Sequence, residues 1–273
     1  MIAPAAAIWC NQGMQQATSA DGTRIAYHRV GTGSPVIIVG GALSTAEAGE
    51  PLAGALASAG LQGVTLDRRA RGGSGDTAPY APEREVEDLA AVIDAVGGGA
   101  AVLGHSSGAM LALYAAAQGV PITHLFLSEP PFRFGEAEPA PDLPERLQAL
   151  VDAGSPEDAV VLFQREAIGL SEDVLEQIRT SPFFASLVPL AQSTVYDALL
   201  SAAVSTPTAA MTAVDLPVTI LRGATTFPVI VTSTERLARQ MPQAELVIVP
   251  ESRDHSPDPA GTVREISARL AAG

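Results

Sequence analysis

The stretch Gly104-His105-Ser106-Ser107-Gly108 decides the fold that we predict for this chain. It follows the apolar run 100–103 and leads into the helix-like segment 109–115, so the order is strand, sharp turn, helix. Small residues are needed on both sides of the serine, because the strand and helix backbones come close together while the hydroxyl is pushed out over the strand ends. Gly104 and Gly108 meet that need. The pattern therefore predicts a nucleophile elbow at Ser106, and the alternative is an ordinary glycine-serine loop before a helix.

Apolar runs alternate with helical patterns along most of the chain. The run Pro35-Val36-Ile37-Ile38-Val39 is continuous and β-branched, which is typical of a strand buried on both faces of a parallel sheet. Asp21-Gly22 predicts a hairpin between two short antiparallel strands at the start of the chain. We therefore expect an α/β fold with a mostly parallel, doubly wound sheet. The other predicted strands are 63–67, 100–103, 123–129, 217–221 and 245–249, and the intervening helices are 46–59, 82–96, 231–241 and 259–271.

The alternation is interrupted between residues 132 and 212. Four amphipathic helical windows separated by prolines occupy this segment, and none of it has a strand pattern. We interpret it as an inserted helical lid. The predicted organisation is a first part of the core over 1–131, a lid over 132–212 and a second part of the core over 213–273.

Charge and size limit the partners of the chain. Its 273 residues are 47% hydrophobic, which is enough for a sizeable core, and 16 basic against 30 acidic residues give a formal net charge of −14. Such a balance repels nucleic acid and anionic membranes, so neither is a predicted partner. The only basic cluster is Arg68, Arg69 and Arg71, which we interpret as structural ion-pair partners. The expected partner is a small, largely uncharged or apolar substrate, and a homodimer is left open.

The N-terminal segment and the single cysteine suggest where the protein is located. Cys10 has no partner for a disulfide within the chain, and no Cys/His spacing indicates a metal site. The first residues lack a basic region and a cleavage site, and we expect no apolar run long enough to cross a bilayer. We predict a cytoplasmic protein whose first residues, up to about Met14, form a loose extension.

A serine hydroxyl needs a base, and the sequence offers His255 for that role. It stands in the loop 251–255 just beyond the last predicted strand, where a side chain can reach the same sheet edge as Ser106. His28 lies in the hairpin, His105 is the neighbour of the serine, and His124 begins a strand at the opposite edge. The order serine, acid, histidine along the chain also favours His255.

From about Met14 onwards the chain resembles the α/β-hydrolase fold family. The segment 36–43 is similar to that family's oxyanion segment, 67–74 to its arginine-glycine loop, and 104–108 to its elbow. Two departures are Gly40, where many members have histidine, and Ala70, where many have glycine. The resemblance implies that the backbone N–H groups of Ala42 and Ser107 form an oxyanion hole, and that no cofactor is needed.

The acid that orients the histidine does not stand at its usual place in the family. The loop after the penultimate strand, 222–228, contains no carboxylate. We predict that Glu129 takes this role, because it ends the strand that follows the elbow helix and should open at the same edge as Ser106. The segment Glu129-Pro130-Pro131-Phe132 also resembles a subset of small, lidded family members with a Glu-Pro-Pro-Phe segment. Asp258 is the reserve candidate.

These features predict a serine hydrolase that cleaves an ester or lactone of a small, largely apolar substrate through an acyl-enzyme on Ser106. One alternative keeps the fold but changes the reaction to that of a non-hydrolytic lyase or cyclase in natural-product biosynthesis. A second alternative is a catalytically inactive ligand-binding protein.

Overall fold

The computed structural model describes residues 12–271, and eight strands in this range form one sheet. Their order across the sheet is β1-β2-β4-β3-β5-β6-β7-β8. The first three strands in that order pair antiparallel, and all the other neighbours pair parallel. The α/β fold with a mostly parallel sheet is therefore confirmed. The strands are β1 Gln12–Thr18, β2 Arg24–Val30, β3 Pro35–Val39, β4 Gln62–Leu66, β5 Ala100–His105, β6 Ile122–Ser128, β7 Val218–Thr225 and β8 Glu245–Arg253.

Helices cover both faces of the sheet because the parallel strands are apolar on both sides. In β3, Ile37 and Val39 pack into one core cluster while Val36 and Ile38 pack into the other. Helices α2, α3 and α10 contribute to the first cluster, and α1 and α11 contribute to the second. The helices are α1 Glu50–Ser58, α2 Pro82–Ala95, α3 Ser107–Ala117, α4 Leu143–Asp152, α5 Pro156–Phe163, α6 Glu172–Arg179, α7 Phe184–Leu187, α8 Ala191–Val204, α9 Ala209–Thr212, α10 Pro228–Gln240 and α11 Pro259–Leu270.

A helical insertion, residues 132–212, separates β6 from β7 and contains α4 to α9. Its own apolar cluster includes Leu147, Val160, Phe163 and Val195, which are buried. The insertion therefore has the helical character that the sequence predicts for a lid. Helix α8 also places Leu200 in the main core, so the insertion is anchored to the sheet layer.

The structure differs from the sequence predictions at the N-terminal segment and in one apolar helical stretch. The predicted loose extension lies mostly outside the described residues, as does Cys10, but β1 already begins at Gln12, so Met14 belongs to the sheet. The expectation of no bilayer-length apolar run was wrong by length and composition, since the continuous helical stretch Phe184–Val204 is long and apolar enough. Because 61% of its apolar window is buried inside the protein, it has the character of a core helix.

Candidate active site

Five neighbouring strands bring the predicted site residues to one edge of the sheet. In the order β3-β5-β6-β7-β8, the carboxyl ends lead to the turn at Ala42, then Ser106, then Glu129, then the loop 222–228, then His255. These strands are mutually parallel, so their carboxyl ends open on the same side. The strand order reverses between β3 and β5, which is where ligands bind in open α/β sheets.

Ser106 occupies a strained turn between β5 and α3. Its backbone has φ 53° and ψ −124°, a conformation that residues with a side chain rarely adopt. A Cβ at Gly104 would collide with the backbone of Gly108, and a Cβ at Gly108 would collide with the backbone carbonyl of Val39. The two glycines therefore allow the close approach that the sequence pattern predicts.

His255 lies in a tight turn that follows β8. The N–H of Ser256 donates to the carbonyl of Arg253 at 2.8 Å, and the N–H of Asp254 donates to the carbonyl of Thr225 at 2.9 Å. This turn presents the imidazole to Glu129, and Nδ1 of His255 lies 2.6 Å from Oε2 of Glu129. Because a carboxylate only accepts hydrogen bonds, Nδ1 carries the proton and Nε2 is left as an acceptor.

The loop 222–228, which contains no carboxylate, donates hydrogen bonds to Glu129. The N–H of Gly223 donates to Oε1 of Glu129 at 2.8 Å, and the hydroxyl of Thr226 donates to Oε2 at 2.8 Å. Burial acts to raise the pKa of the Glu129 carboxyl, but the hydrogen bonds from His255, Gly223 and Thr226 outweigh it and leave the pKa below its usual value. Glu129 is therefore ionised at neutral pH although its side chain is only 5% exposed.

Three of the eight described non-glycine residues with positive φ are Ser106, Glu129 and His255. Glu129 has φ 50° and His255 has φ 59°, both in the left-handed region, as is the φ of Ser106. Each such residue costs on the order of 1–3 kcal/mol and persists only where the surrounding structure holds it. Strain in three residues that meet at one edge of the sheet indicates a functional site.

The reserve candidate, Asp258, lies at the start of α11. Asp258 caps α11, and its Oδ1 accepts from the N–H of Gly261 at 2.7 Å. The structure pairs the His255 ring with Glu129, not with Asp258.

A cavity of about 550 Å³ opens over these residues. Ala42, Ser106, Ser107 and His255 all line it. Among the residues that the structure describes, no hydrogen bond joins the Ser106 hydroxyl to the His255 ring. Bonds of this kind are often long until a substrate is bound, and both side chains belong to the wall of the same cavity.

A second imidazole lies beside the first. The ring centroids of His105 and His255 are 4.8 Å apart, and His105 Nδ1 meets the hydroxyl of Ser128 at 3.3 Å. Burial, followed by the charge of His255, lowers the pKa of His105 to about 4. His105 is therefore neutral at neutral pH, and it lacks the carboxylate that orients His255.

Two residues that line the cavity, Ala42 and Ser107, have backbone N–H groups without a partner among the described residues. Within residues 12–271, the N–H of Ala42 and the N–H of Ser107 donate no hydrogen bond to protein atoms. Ser107 is the first residue of α3, where unpaired N–H groups and the positive end of the helix dipole favour a negative charge. A Cβ at Gly41 would lie 2.9 Å from the Cβ of Ser106, which shows how closely the turn after β3 approaches the elbow.

The wall of the cavity is mostly apolar. Its charged members include Arg133, which donates to the carbonyls of Ala137 and Ala167, and Asp197, which pairs with two arginines. In the part of the chain from 12 to 271, no group of three or more His, Cys, Asp and Glu side chains is placed to hold a metal ion.

Comparison with known proteins gives the family of this fold. The model of the alpha/beta hydrolase family matches residues 36–265. The chain belongs to this family. None of the curated proteins compared with it matches.

Solved structures of other α/β hydrolases resemble this one over nearly the whole chain. An alpha/beta hydrolase from Sphaerobacter thermophilus DSM 20745 is 40% identical, with 94% of this chain and 100% of that chain covered and a TM-score of 0.86. A thermophilic esterase from Thermogutta terrifontis is 20% identical, with coverage of 95% and 97% and a TM-score of 0.68. A meta-cleavage product hydrolase from Pseudomonas fluorescens IP01 is 18% identical, with coverage of 94% and 97% and a TM-score of 0.64.

The arginine-glycine loop of this α/β hydrolase holds the buried charges of the site. The interpretation of its three arginines as structural ion-pair partners is confirmed, because each of them pairs with at least one carboxylate. The pairs are Arg68 with Glu85 and Asp197, Arg69 with Asp88 and Asp21, and Arg71 with Asp197. The sequence did not point to Asp197, because it lies in a helix 126 residues further along the chain than Arg71. The donors of Thr226 and Gly223 were also missed, although a Thr and a Gly in a loop without acids could have suggested them.

Proposed function

We propose that this α/β hydrolase is a serine hydrolase that cleaves an ester or lactone of a small, largely apolar compound. One observation carries the proposal most directly. A buried, ionised Glu129 holds Nδ1 of His255 at 2.6 Å, and the imidazole shares a cavity with Ser106 at a strained elbow. These are the three parts of a nucleophile, base and orienting acid, in the chain order typical of this fold.

The reaction follows from the proton positions. With Nδ1 protonated toward Glu129, Nε2 of His255 takes the proton of the Ser106 hydroxyl as its oxygen attacks the substrate carbonyl. The carbon–oxygen bond to the leaving alcohol then breaks, and His255 returns the proton to that oxygen. The acyl group remains on Ser106. Water, deprotonated by His255, then attacks the acyl carbon. The bond to Ser106 Oγ breaks, His255 returns the proton to that oxygen, and the carboxylic acid is released.

The oxyanion needs donors that are in place before the reaction begins. Ala42 belongs to the turn that approaches the elbow, Ser107 follows Ser106, and their unpaired N–H groups suit this role. Loss of a single such donor lowers kcat by about 10²–10³-fold in another serine hydrolase. Both donors belong to the backbone, so the hole depends on the turns that carry them.

The cavity sets the expected class of substrate. Its lining includes Ile38, Leu52, Phe163, Leu170 and Ile230. The charge of Asp197 is compensated by arginines, and Arg133 donates to the carbonyls of Ala137 and Ala167. Such a wall favours neutral, apolar acyl or alkyl groups. Short-chain esters should therefore be better substrates than charged ones.

The test combines labelling with turnover. A fluorophosphonate should label the wild-type protein on Ser106, and short-chain p-nitrophenyl esters should be hydrolysed. Ser106→Ala should lose both properties, whereas Ser201→Ala, which removes another hydroxyl from the cavity wall, should still be labelled.

The two rival functions predict different results. Absence of both labelling and ester turnover in a folded wild-type protein would contradict the hydrolase and favour a lyase or cyclase on the same fold. A biological activity that survives Ser106→Ala would favour a ligand-binding protein.

A further inference from the structure

The carbonyl of Gly41 is held by two donors below the turn that follows β3. Arg71 donates to it through a terminal nitrogen at 2.6 Å, and the hydroxyl of Ser44 donates to it at 2.7 Å. The peptide unit is planar and trans, so the N–H of Ala42 in the same unit points opposite to this carbonyl. Fixing the Gly41 carbonyl on the arginine therefore fixes the direction of the Ala42 N–H.

Arg71 is itself fixed by the helical insertion. Its other terminal nitrogen donates to Oδ2 of Asp197 in α8 at 2.6 Å, and both side chains are 1% exposed. The guanidinium is planar and rigid, so the bonds to Asp197 and to Gly41 restrain each other. Arg71 thus links a carboxylate of the insertion to the turn after β3 that contains Gly41 and Ala42.

The second oxygen of the same carboxylate reaches the elbow. Oδ1 of Asp197 accepts from the hydroxyl of Ser107 at 2.8 Å and from Arg68 at 2.9 Å. Arg68 in turn forms a two-point pair with Glu85 in α2, so the buried charges are balanced. Burial acts to raise the pKa of Asp197, but the charges of Arg68 and Arg71 keep it below the usual value, so the carboxylate stays ionised.

We propose that Asp197 and Arg71 are positioning residues that set both donors of the oxyanion hole, Asp197 holding Ser107 directly and Ala42 through Arg71. This inference rests on the proposed function. It makes the helical insertion part of the catalytic apparatus, since α8 supplies the carboxylate. The geometry favours this role over mere structural support, because one oxygen of Asp197 accepts from Ser107 and the other accepts from Arg71, which also holds the Gly41 carbonyl. The third bond of Asp197, from Arg68, balances its charge.

An oxyanion hole acts on the tetrahedral state and not on the planar substrate. Disturbing it should therefore lower kcat, and lower the affinity for a boronic acid that forms a tetrahedral adduct with Ser106, while KM changes little. Loss of one donor costs about 10²–10³-fold, so misdirecting the donors should cost about 10- to 100-fold.

The experiment compares three variants with a matched control in the purified full-length enzyme. Asp197→Asn removes the charge that holds Arg71, and Arg71→Lys keeps a charge but loses the two-point geometry. Ser44→Ala removes the second donor to Gly41 from a half-buried position and should not threaten folding. The control is Asp88→Asn, which breaks an equally buried pair with Arg69 in the same loop but has no bond to either donor.

We expect Asp197→Asn to lower kcat and boronate affinity together by about 10- to 100-fold with KM within about threefold of wild type. Arg71→Lys should lie between it and wild type, and Ser44→Ala should lose roughly two- to tenfold, as expected for one hydrogen bond. Asp88→Asn should lower thermal stability without changing either quantity by more than about twofold.

Equal effects of Asp197→Asn and Asp88→Asn would overturn the inference, as would a Ser44→Ala enzyme with wild-type kcat and boronate affinity. If Asp197→Asn does not fold, Arg71→Lys and Ser44→Ala still decide the matter. A wild-type protein that neither hydrolyses esters nor binds the boronate would refute the proposed function itself. An active wild-type enzyme whose variants all behave alike would refute only the positioning role of Asp197 and Arg71.

Discussion

Replacing Glu129 with Gln isolates the contribution of the displaced acid. Oε1 accepts from the fixed backbone N–H of Gly223, and Oε2 accepts from His255 and from the Thr226 hydroxyl. In the glutamine variant the amide oxygen should keep the Gly223 bond, because an amide NH₂ placed there would oppose a buried donor and cost about 1–3 kcal/mol. The NH₂ group then faces His255.

That arrangement moves the imidazole proton from Nδ1 to Nε2. To accept from the NH₂ group, His255 must carry its proton on Nε2, which is the nitrogen that should receive the proton of Ser106. The corresponding change in a serine protease costs about 10⁴-fold in kcat, or about 5.4 kcal/mol at 1.36 kcal/mol per tenfold. We expect Glu129→Gln to lower kcat for a p-nitrophenyl ester by about 10³–10⁴-fold while its circular dichroism spectrum stays that of the wild type.

Thr226→Val is the matched control for this prediction. It removes one of the three hydrogen bonds to Glu129 but leaves the carboxylate against the imidazole, so we expect a loss of about tenfold or less. A Glu129→Gln enzyme that retains more than about a tenth of wild-type kcat would refute the assignment of Glu129. Equal losses in the two variants would show that the carboxylate acts only as part of the loop packing.

Three further predictions concern stability. The pKa of His105 is lowered to about 4 in the folded protein, whereas a histidine in the unfolded chain has a pKa of about 6.5. Between these pH values only the unfolded chain binds the proton, so the wild-type protein loses stability as the pH falls. His105→Asn should reduce this loss by up to about 1.4 kcal/mol per pH unit, as measured by urea titrations. Gly108→Ala should lower the free energy of unfolding by about 1–3 kcal/mol, because the new Cβ collides with the backbone at the elbow. In the control Gly99→Ala the new Cβ makes only an ordinary contact, so the free energy of unfolding should change by less than about 1 kcal/mol. Similar melting temperatures of the two variants would contradict this prediction. Ala70 has φ 60°, so Ala70→Gly should raise the free energy of unfolding by about 1 kcal/mol, and a decrease would show that the strain is not released.

The fold was predictable because its signals are local. The bounds predicted for β3, 35–39, are those of the structure, since proline, a β-branched run and a glycine mark the two ends. The elbow was found from two glycines and the change from strand to helix pattern. Strand β8 was predicted to end at Val249 but continues to Arg253, because a register shift opposite β7 lets Arg253 pair with Thr225. Such pairing depends on a distant strand and leaves no local pattern.

The site was only partly predictable, because some of its contacts join residues that are far apart in the chain. The helix-capping position of Asp258 could have been predicted, since an aspartate before Pro259 and three residues before Gly261 is typical of a helix N-cap. Glu129 was accessible through the rule that parallel strands end at one edge. Asp197 could not be predicted, because its hydrogen bonds join residues 90 to 129 positions apart and its helix is apolar on most sides. Contacts of this length are decided by tertiary packing.

The central claim is that Ser106 carries an acyl group during turnover. The most direct measurement is mass spectrometry of wild-type enzyme quenched with acid during hydrolysis of a short-chain p-nitrophenyl ester, followed by cleavage with trypsin. We predict an acyl mass on the peptide 85–133, bounded by Arg84 and Arg133, with fragmentation placing it on Ser106. Ester turnover with no acylated peptide, or with the acyl group on another residue, would contradict the account.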